Sequence, residues 1–204
     1  MTNEPSSDGR RARRERSRTA VIDAAFSLIL DGKGPPTVEQ IAERAGVSVS
    51  SIFRMFDGLR DMQQHVLERF REQYSHLLLA TPPDGTGVDE RVAFFVRIRL
   101  DLFEQTNPLL TTARMRALHD DTWIEPTNRN RSLLAAQTRA CFEPEITATS
   151  PSDAANFVAL VDSVVSPEVY DLMTRFHARS RRQMSTTWVD ALRALVAAPQ
   201  GVVS

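Results

Sequence analysis

"TVEQIAERAGVSVSSIFRMF", residues 37–56, is the stretch whose reading decides the fold. Thr37 followed three residues later by Gln40 fits a capping box, in which the hydroxyl accepts from a backbone N–H and the amide reaches back. Ile41, Ala42 and Ala45 then recur at helical spacing, and Gly46 stands where a helix ends in a left-handed conformation. Ser48 offers an N-cap for a further short helix. Two short capped helices joined by a glycine-containing turn predict a helix-turn-helix.

The second of these helices divides into two faces at about 100° per residue. Ile52, Met55 and Phe56 fall together as a packing face. Val49, Ser50, Phe53 and Arg54 form the outward arc, with Ser51 at its edge. Small residues let a helix enter a major groove about 12 Å wide, and an Arg can bond guanine O6 and N7 together. The N-termini of both short helices offer N–H groups and a positive dipole end to phosphate, which adds Thr37 and Ser48 to the candidate surface. The plainer reading is a capped surface helix without a partner. Exposed Val49 and Phe53 side by side argue against it.

Upstream, residues 13–30 carry an apolar stripe (Val21, Ile22, Ala25, Phe26, Ile29) that predicts a helix ending at "DGKGPP". Before it, residues 10–18 ("RRARRERSR") hold six Arg against one Glu, a local charge of +5. Alone, such a run is a solvated arm. Placed before a three-helix unit, it is a phosphate or minor-groove contact, with Arg13, Arg14, Arg16 and Arg18 as candidates. Residues 1–12 are expected to be a disordered basic arm, 13–60 the helix-turn-helix domain, and 61–204 a separate helical domain.

Downstream, periodicity predicts a long helix to about residue 79, a loop at 81–87, a helix at 89–105 apolar almost all round, and shorter helices at about 108–119 and 126–141. Two more cover about 152–178, interrupted by Pro167, and 181–198. Without any alternating strand pattern, the chain is expected to be all-α, with about nine helices.

The whole-chain composition is ordinary for a globular protein, 42% hydrophobic and 25% charged over 204 residues, with a net charge of −1. No apolar run reaches the roughly eighteen residues of a membrane span, and the N-terminus lacks a signal-peptide core, so the cytoplasm is the expected location. A single Cys, Cys141, leaves no intrachain disulfide and no cysteine zinc cluster. No phosphate-cradling glycine loop, His-x-x-x-His pair or serine elbow is present, so an enzyme is not the expected reading and no cofactor or metal is implied. The densest polar cluster, "MRALHDDTW" (115–123), sets His119 beside Asp120 and Asp121 without recognisable catalytic spacing.

"TVEQIAERAGVSVSSIFRMFDGLRDM" (37–62), preceded by "RTAVIDAAFSLIL" (18–30), resembles the DNA-binding domain of the TetR family of bacterial transcriptional regulators. The matching positions are Thr37, Ile41-Ala42, Ala45-Gly46-Val47-Ser48, Ser51, Phe53 and Phe56. Weaker similarity extends through "FEPEI" (142–146), "VDSVVSPEVYDLM" (161–173) and "TWVDALRALV" (187–196). Two positions depart from the family pattern. Phe53 replaces a Tyr whose hydroxyl bonds phosphate, and Leu59 replaces a Lys that contacts phosphate, losses for which the basic arm and Arg60 are expected to compensate.

The resemblance implies a homodimer on a near-palindromic double-stranded operator, most often a repressor, with an unknown small molecule bound in the C-terminal domain. The alternative is a DNA-binding regulator or architectural protein without such an effector. For the pocket we expect Phe94, Ile98, Leu102, Met115, Trp123 and Leu133 as apolar walls, with His119 and Gln137 among the polar groups and Arg97, Arg99 and Asn128 as further ones. Arg97 and Asp101, four apart, are expected to pair. For the dimer we expect two stripes: Phe157, Leu160, Val161 and Val164, and Met184, Trp188, Leu192 and Leu195. Stripes of this kind are more often intrachain core than interface.

Overall fold

The protein is described here by a computed structural model covering residues 7–32 and 34–198. Among the described residues the chain is all-α, without strands. It forms two compact units. One comprises the chain up to Gln73 together with Thr112–Pro126; the other comprises Tyr74–Thr111 and the chain from Thr127 on.

In the first unit, α1 (Ser7–Leu30) carries Val21, Ala25 and Phe26 into the core. It starts six residues before the expected Arg13, because arginine is a good helix former and nothing in 7–12 forbids the turn. Residues 7–12 are therefore helix rather than a disordered arm; residues 1–6 of that expected arm lie outside the described residues. α2 (Val38–Ala45) begins with the capping box, Gln40 N–H donating to Thr37 Oγ1 at 3.3 Å and Thr37 N–H to Gln40 Oε1 at 2.8 Å. It ends at Gly46, whose φ of +67° lets Val47 N–H return to the Ala42 carbonyl at 3.0 Å. Ser48 then caps α3 (Val49–Met55), accepting from Ser51 N–H at 3.2 Å. α4 (Leu59–Leu78) buries Met62, Val66, Leu67 and Phe70. Leu67 also packs with Ala113 and Trp123, which ties the 112–126 segment to this unit.

In the second unit the main buried element is α5 (Val88–Ala117), whose Val92, Phe95, Val96, Leu102 and Phe103 have no exposed surface. It is one helix of thirty residues where two were expected, because Pro108 sits inside it rather than ending it. Its ring removes one backbone donor. The flanking Asn107 and Leu109 are buried, and Asn107 Nδ2 donates to Asp171 at 3.0 Å, so tertiary packing overrides the local break. A 3-10 turn (Asp121–Trp123) leads to α6 (Ile124–Cys141), followed by α7 (Glu143–Thr147) and α8 (Pro151–Val164). Ser166 caps α9 (Pro167–Asp171), which runs on into a π-helical turn (Leu172–Phe176). α10 (Arg181–Ala197) opens with its own capping box at Ser180 and Gln183.

Edge-to-face aromatic pairs hold this core: Phe95 with Phe142 (5.3 Å), Phe142 with Phe157 (5.6 Å) and Phe103 with Trp188 (6.3 Å). Each contributes about 1 kcal/mol beyond burial. Arg181 bridges to Asp101 at 2.6 Å and to Glu104, and Arg193 to Asp89 at 2.7 Å, fastening α10 to α5. Asp101 therefore pairs with Arg181, not with Arg97, whose guanidinium lies over the Phe94 ring at 5.2 Å. No helix among the described residues is long and apolar enough to cross a membrane.

Candidate nucleic-acid interface and effector cleft

α3 is anchored by Ile52, 1% exposed, and by Phe56, its C-cap, 3% exposed. Helical geometry then turns the opposite side outward: Ser50, Phe53 and Arg54 are exposed and Val49 and Ser51 half-buried. Met55, expected on the packing face, is also half-buried. Phe53 is 53% exposed, a large ring left in water. Arg54 NH2 donates to Ser51 Oγ at 3.0 Å, which holds its side chain along α3. The Ser48 hydroxyl, occupied as a cap, also lies within hydrogen-bond distance of the Ser50 and Ser51 hydroxyls.

α1 runs past this helix. Arg14 NH2 donates to the Arg54 backbone carbonyl at 3.2 Å, fixing the end of α3 to the first turns of α1. A groove of about 620 Å³ lies between Arg13, Arg14 and Ser17 on one side and Ser51, Arg54 and Met55 on the other. Arg13 and Arg16 are exposed, as is Thr37 at the start of α2. The α2 N-terminus differs from a free anion site. Glu39 stands there, its carboxyl held below the usual range by its own backbone N–H and by the Thr37 hydroxyl.

Arg18 departs from expectation. Its NH2 is 2.6 Å from His65 Nε2 and 3.4 Å from Asp61 Oδ2, and its guanidinium covers the Phe56 ring at 5.0 Å. A guanidinium only donates, so His65 Nε2 accepts and Nδ1 carries the proton towards Glu68, 2.9 Å away. Asp61 also accepts from Asp57 N–H at 3.1 Å, completing the start of α4. Arg18 is thus a brace between α1, Phe56 and α4, not a free cation. Composition along the sequence shows a basic run; only the helical turn shows which Arg faces inward. Leu59 and Arg60 are both exposed at the start of α4. The Arg60 charge acts on Asp120, whose carboxyl is held low mainly by the Thr122 hydroxyl and N–H, with Arg116 adding to it.

The expected effector residues are divided between the two units. Met115 and His119 are exposed and Trp123 is buried, all three in the first unit, whereas Phe94, Ile98, Leu102, Leu133 and Gln137 are in the second. Ile98 and Leu102 are core, and Phe94 and Leu133 half-buried. Gln137 is buried, and its Nε2 donates to the Leu77 carbonyl at 2.7 Å and the Ala80 carbonyl at 3.0 Å. A cleft of about 380 Å³ lies instead where α6 meets α8 and α9, with Arg99 and Asn128 on its lining and none of those eight residues. Asp162, Ser166 and Glu168 border it too, and nothing in the local sequence around them signals a cavity.

The expected dimer stripes divide in the same way. Phe157, Val161, Met184, Trp188 and Leu192 are at most 4% exposed within one chain, so they form its core and not an interface. Leu160 remains 52% exposed, and Val164 and Leu195 are half-buried. A helical stripe marks what is covered but not whether the cover belongs to the same chain.

No family model matches the sequence, and no curated protein matches it. Solved structures do. A protein from Rhodococcus sp. assigned to the TetR-family transcriptional regulators matches 90% of this chain and 100% of its own, with a TM-score of 0.68 at 15% identity. A TetR-family transcriptional regulator from Streptomyces coelicolor matches 87% of this chain and 81% of its own, with a TM-score of 0.63 at 17% identity. The multidrug binding protein EbrR, solved with imidazole, matches 89% of this chain and 96% of its own, with a TM-score of 0.62 at 18% identity. Over nine-tenths of its length, then, the chain has the fold of TetR-family transcriptional regulators.

Proposed function

We propose that the protein is a TetR-type transcriptional regulator, most simply a repressor, that binds a near-palindromic double-stranded operator as a homodimer in the cytoplasm. The observation that carries this reading is α3. Ile52 and Phe56 hold the helix rigidly by one face while Ser50, Phe53 and Arg54 stand exposed on the other. The exposed Arg13 beside it, with Arg16 exposed on the same α1, supplies phosphate-neutralising charge, and Arg54 supplies the group suited to a guanine edge. Two such heads must sit about one DNA turn apart, which requires a dimer. The exposed Leu160 with half-buried Val164 and Leu195 supports an interface on α8 and α10.

A small effector bound in the second unit would favour one spacing of the reading heads, and operator would weaken that effector by the same factor. α4 and α5 each contribute residues to both units, which suits them to carry the coupling. The test is selection of genomic fragments on the pure protein, followed by sequencing. Enrichment of one near-palindromic motif, with preference at one base pair per half-site lost in Arg54→Ala, supports the reading. Uniform recovery of fragments would sink it.

A further inference from the structure

The cleft on α6, α8 and α9 is built around a cation that its surroundings under-compensate. Arg99 is wholly buried, its guanidinium 4.8 Å from the Phe95 ring. Its NH2 makes three bonds, to the Leu134 carbonyl (2.7 Å), Thr138 Oγ1 (3.0 Å) and Asp162 Oδ1 (3.4 Å). Among the described residues its Nε has no hydrogen-bond partner. The nearest carboxylate, Asp162, is engaged more closely by Thr138, whose hydroxyl donates to the same Oδ1 at 2.6 Å. Burial accordingly pulls the Arg99 pKa down to about 10, outweighing the opposing pull of Asp162. The other ion pair at the cleft, Arg131 with Glu168 at 2.7 Å, is exposed and closed on itself.

A guanidinium removed from water normally carries a well-aligned carboxylate across two of its nitrogens, since its fork geometry favours two parallel bonds. Here Asp162 meets only one nitrogen, through a single oxygen at 3.4 Å, and Nε is left over. Leu134, Ala135, Val165 and Pro167 give the same cleft an apolar wall, and its volume lies in the range of small-molecule sites. We propose that this cleft binds a small carboxylate with an apolar body, its carboxylate on the Arg99 edge and its body against Leu134, Val165 and Pro167. The assignment rests on the reading of the protein as an effector-responsive regulator, and names the class of effector.

Benzoate is the probe, with benzamide as its neutral counterpart and benzylamine as its cationic one, titrated calorimetrically against the full chain. Benzoate should bind at millimolar concentration or below, at least about tenfold tighter than benzamide, because only the anion neutralises Arg99. Benzylamine should not bind. Arg99 substitutions risk unfolding the unit, so Asp162→Asn is the decisive variant. It keeps the acceptor for Thr138 but removes the competing charge, and it should tighten benzoate about tenfold while being thermally stabilised by benzoate more than the unsubstituted protein is. A purely structural ion pair would instead lose stability in Asp162→Asn and gain no affinity. That result, equal affinity for benzoate and benzamide, or no benzoate binding would overturn the proposal. Operator release in the same titrations separates the two readings. Benzoate binding without release keeps the cleft and overturns the effector reading. Release by a compound that leaves the cleft open to benzoate keeps the effector reading and overturns the cleft.

Discussion

Replacing Phe53 by Ala should weaken operator binding and leave the fold intact. A phenylalanine side chain presents about 200 Å² of surface, and 53% of this one is exposed on α3, so about 100 Å² is available to be covered by DNA. At roughly 25 cal/mol per Å², full coverage would contribute about 2.5 kcal/mol, and half coverage about 1.2 kcal/mol. The dissociation constant should therefore rise between about eightfold and about sixtyfold. Stability should change little, since the ring shields no core atom. A surface substitution of this kind shifts unfolding by about 0.5 kcal/mol or less, or a melting temperature by ~2 °C. Phe53→Tyr should keep or improve affinity, because a hydroxyl added at an exposed ring edge is a donor that an operator phosphate could accept from. Fluorescence anisotropy on a labelled operator at one fixed salt concentration measures all three proteins. The reasoning fails if Phe53→Ala binds within twofold of the original, or if Phe53→Tyr binds markedly worse. The first would take the ring off the DNA, and the second would show it packed where no hydroxyl fits.

The two kinds of arginine on α1 should part company. Arg13→Ala should leave the melting temperature unchanged and reduce the slope of log affinity against log salt by about 0.9; an unchanged slope would remove Arg13 from the phosphate contacts. Arg18→Met should instead destabilise by about 1–2 kcal/mol, through lost bonds to His65 and Asp61 and lost stacking on Phe56, with the salt slope kept. Leu160→Arg, at an exposed point of α8, should dissociate the proposed dimer in sedimentation and lower operator affinity in parallel; a dimer that survives would place the interface elsewhere. The Cys141 thiol is fully buried, and burial pushes its pKa from 9.0 up to about 11. A thiol reagent at pH 8 should react only after unfolding. The thiol's contribution to stability should be complete below pH 9 and be lost as pH rises through 11, because the unfolded thiol ionises first. Rapid labelling of the folded protein would contradict this.

How much of this was legible in the sequence depended on how far apart the deciding groups lie. The helix-turn-helix was legible because its signals are local. Thr37 and Gln40, Gly46, and Ser48 act within four residues, and each makes the bond its type and spacing suggest. The expected division into helices at 89–105 and 108–119 fails for a related reason: spacing is a local signal, whereas the burial of Asn107 and Leu109 keeps Pro108 within one helix. Arg18 joins a basic run in sequence, but its partners Asp61 and His65 stand more than forty residues away. The eight pocket candidates have pocket-like residue types, but their segments fold into two different units. The stripes on α8 and α10 had the correct period, yet five of their eight residues satisfy it inside one chain.

The bond from Arg14 to the Arg54 carbonyl bears on how such a protein can change its target. That carbonyl would otherwise be open at the end of α3, and here it is held by a residue forty positions earlier. The transplantable unit is therefore α3 together with the opening turns of α1. A graft of residues 48–56 alone would arrive with its last turn unheld, and new operator preferences are most readily reached by exchanging Ser50, Phe53 and the Arg54 side chain while the main chain stays tied.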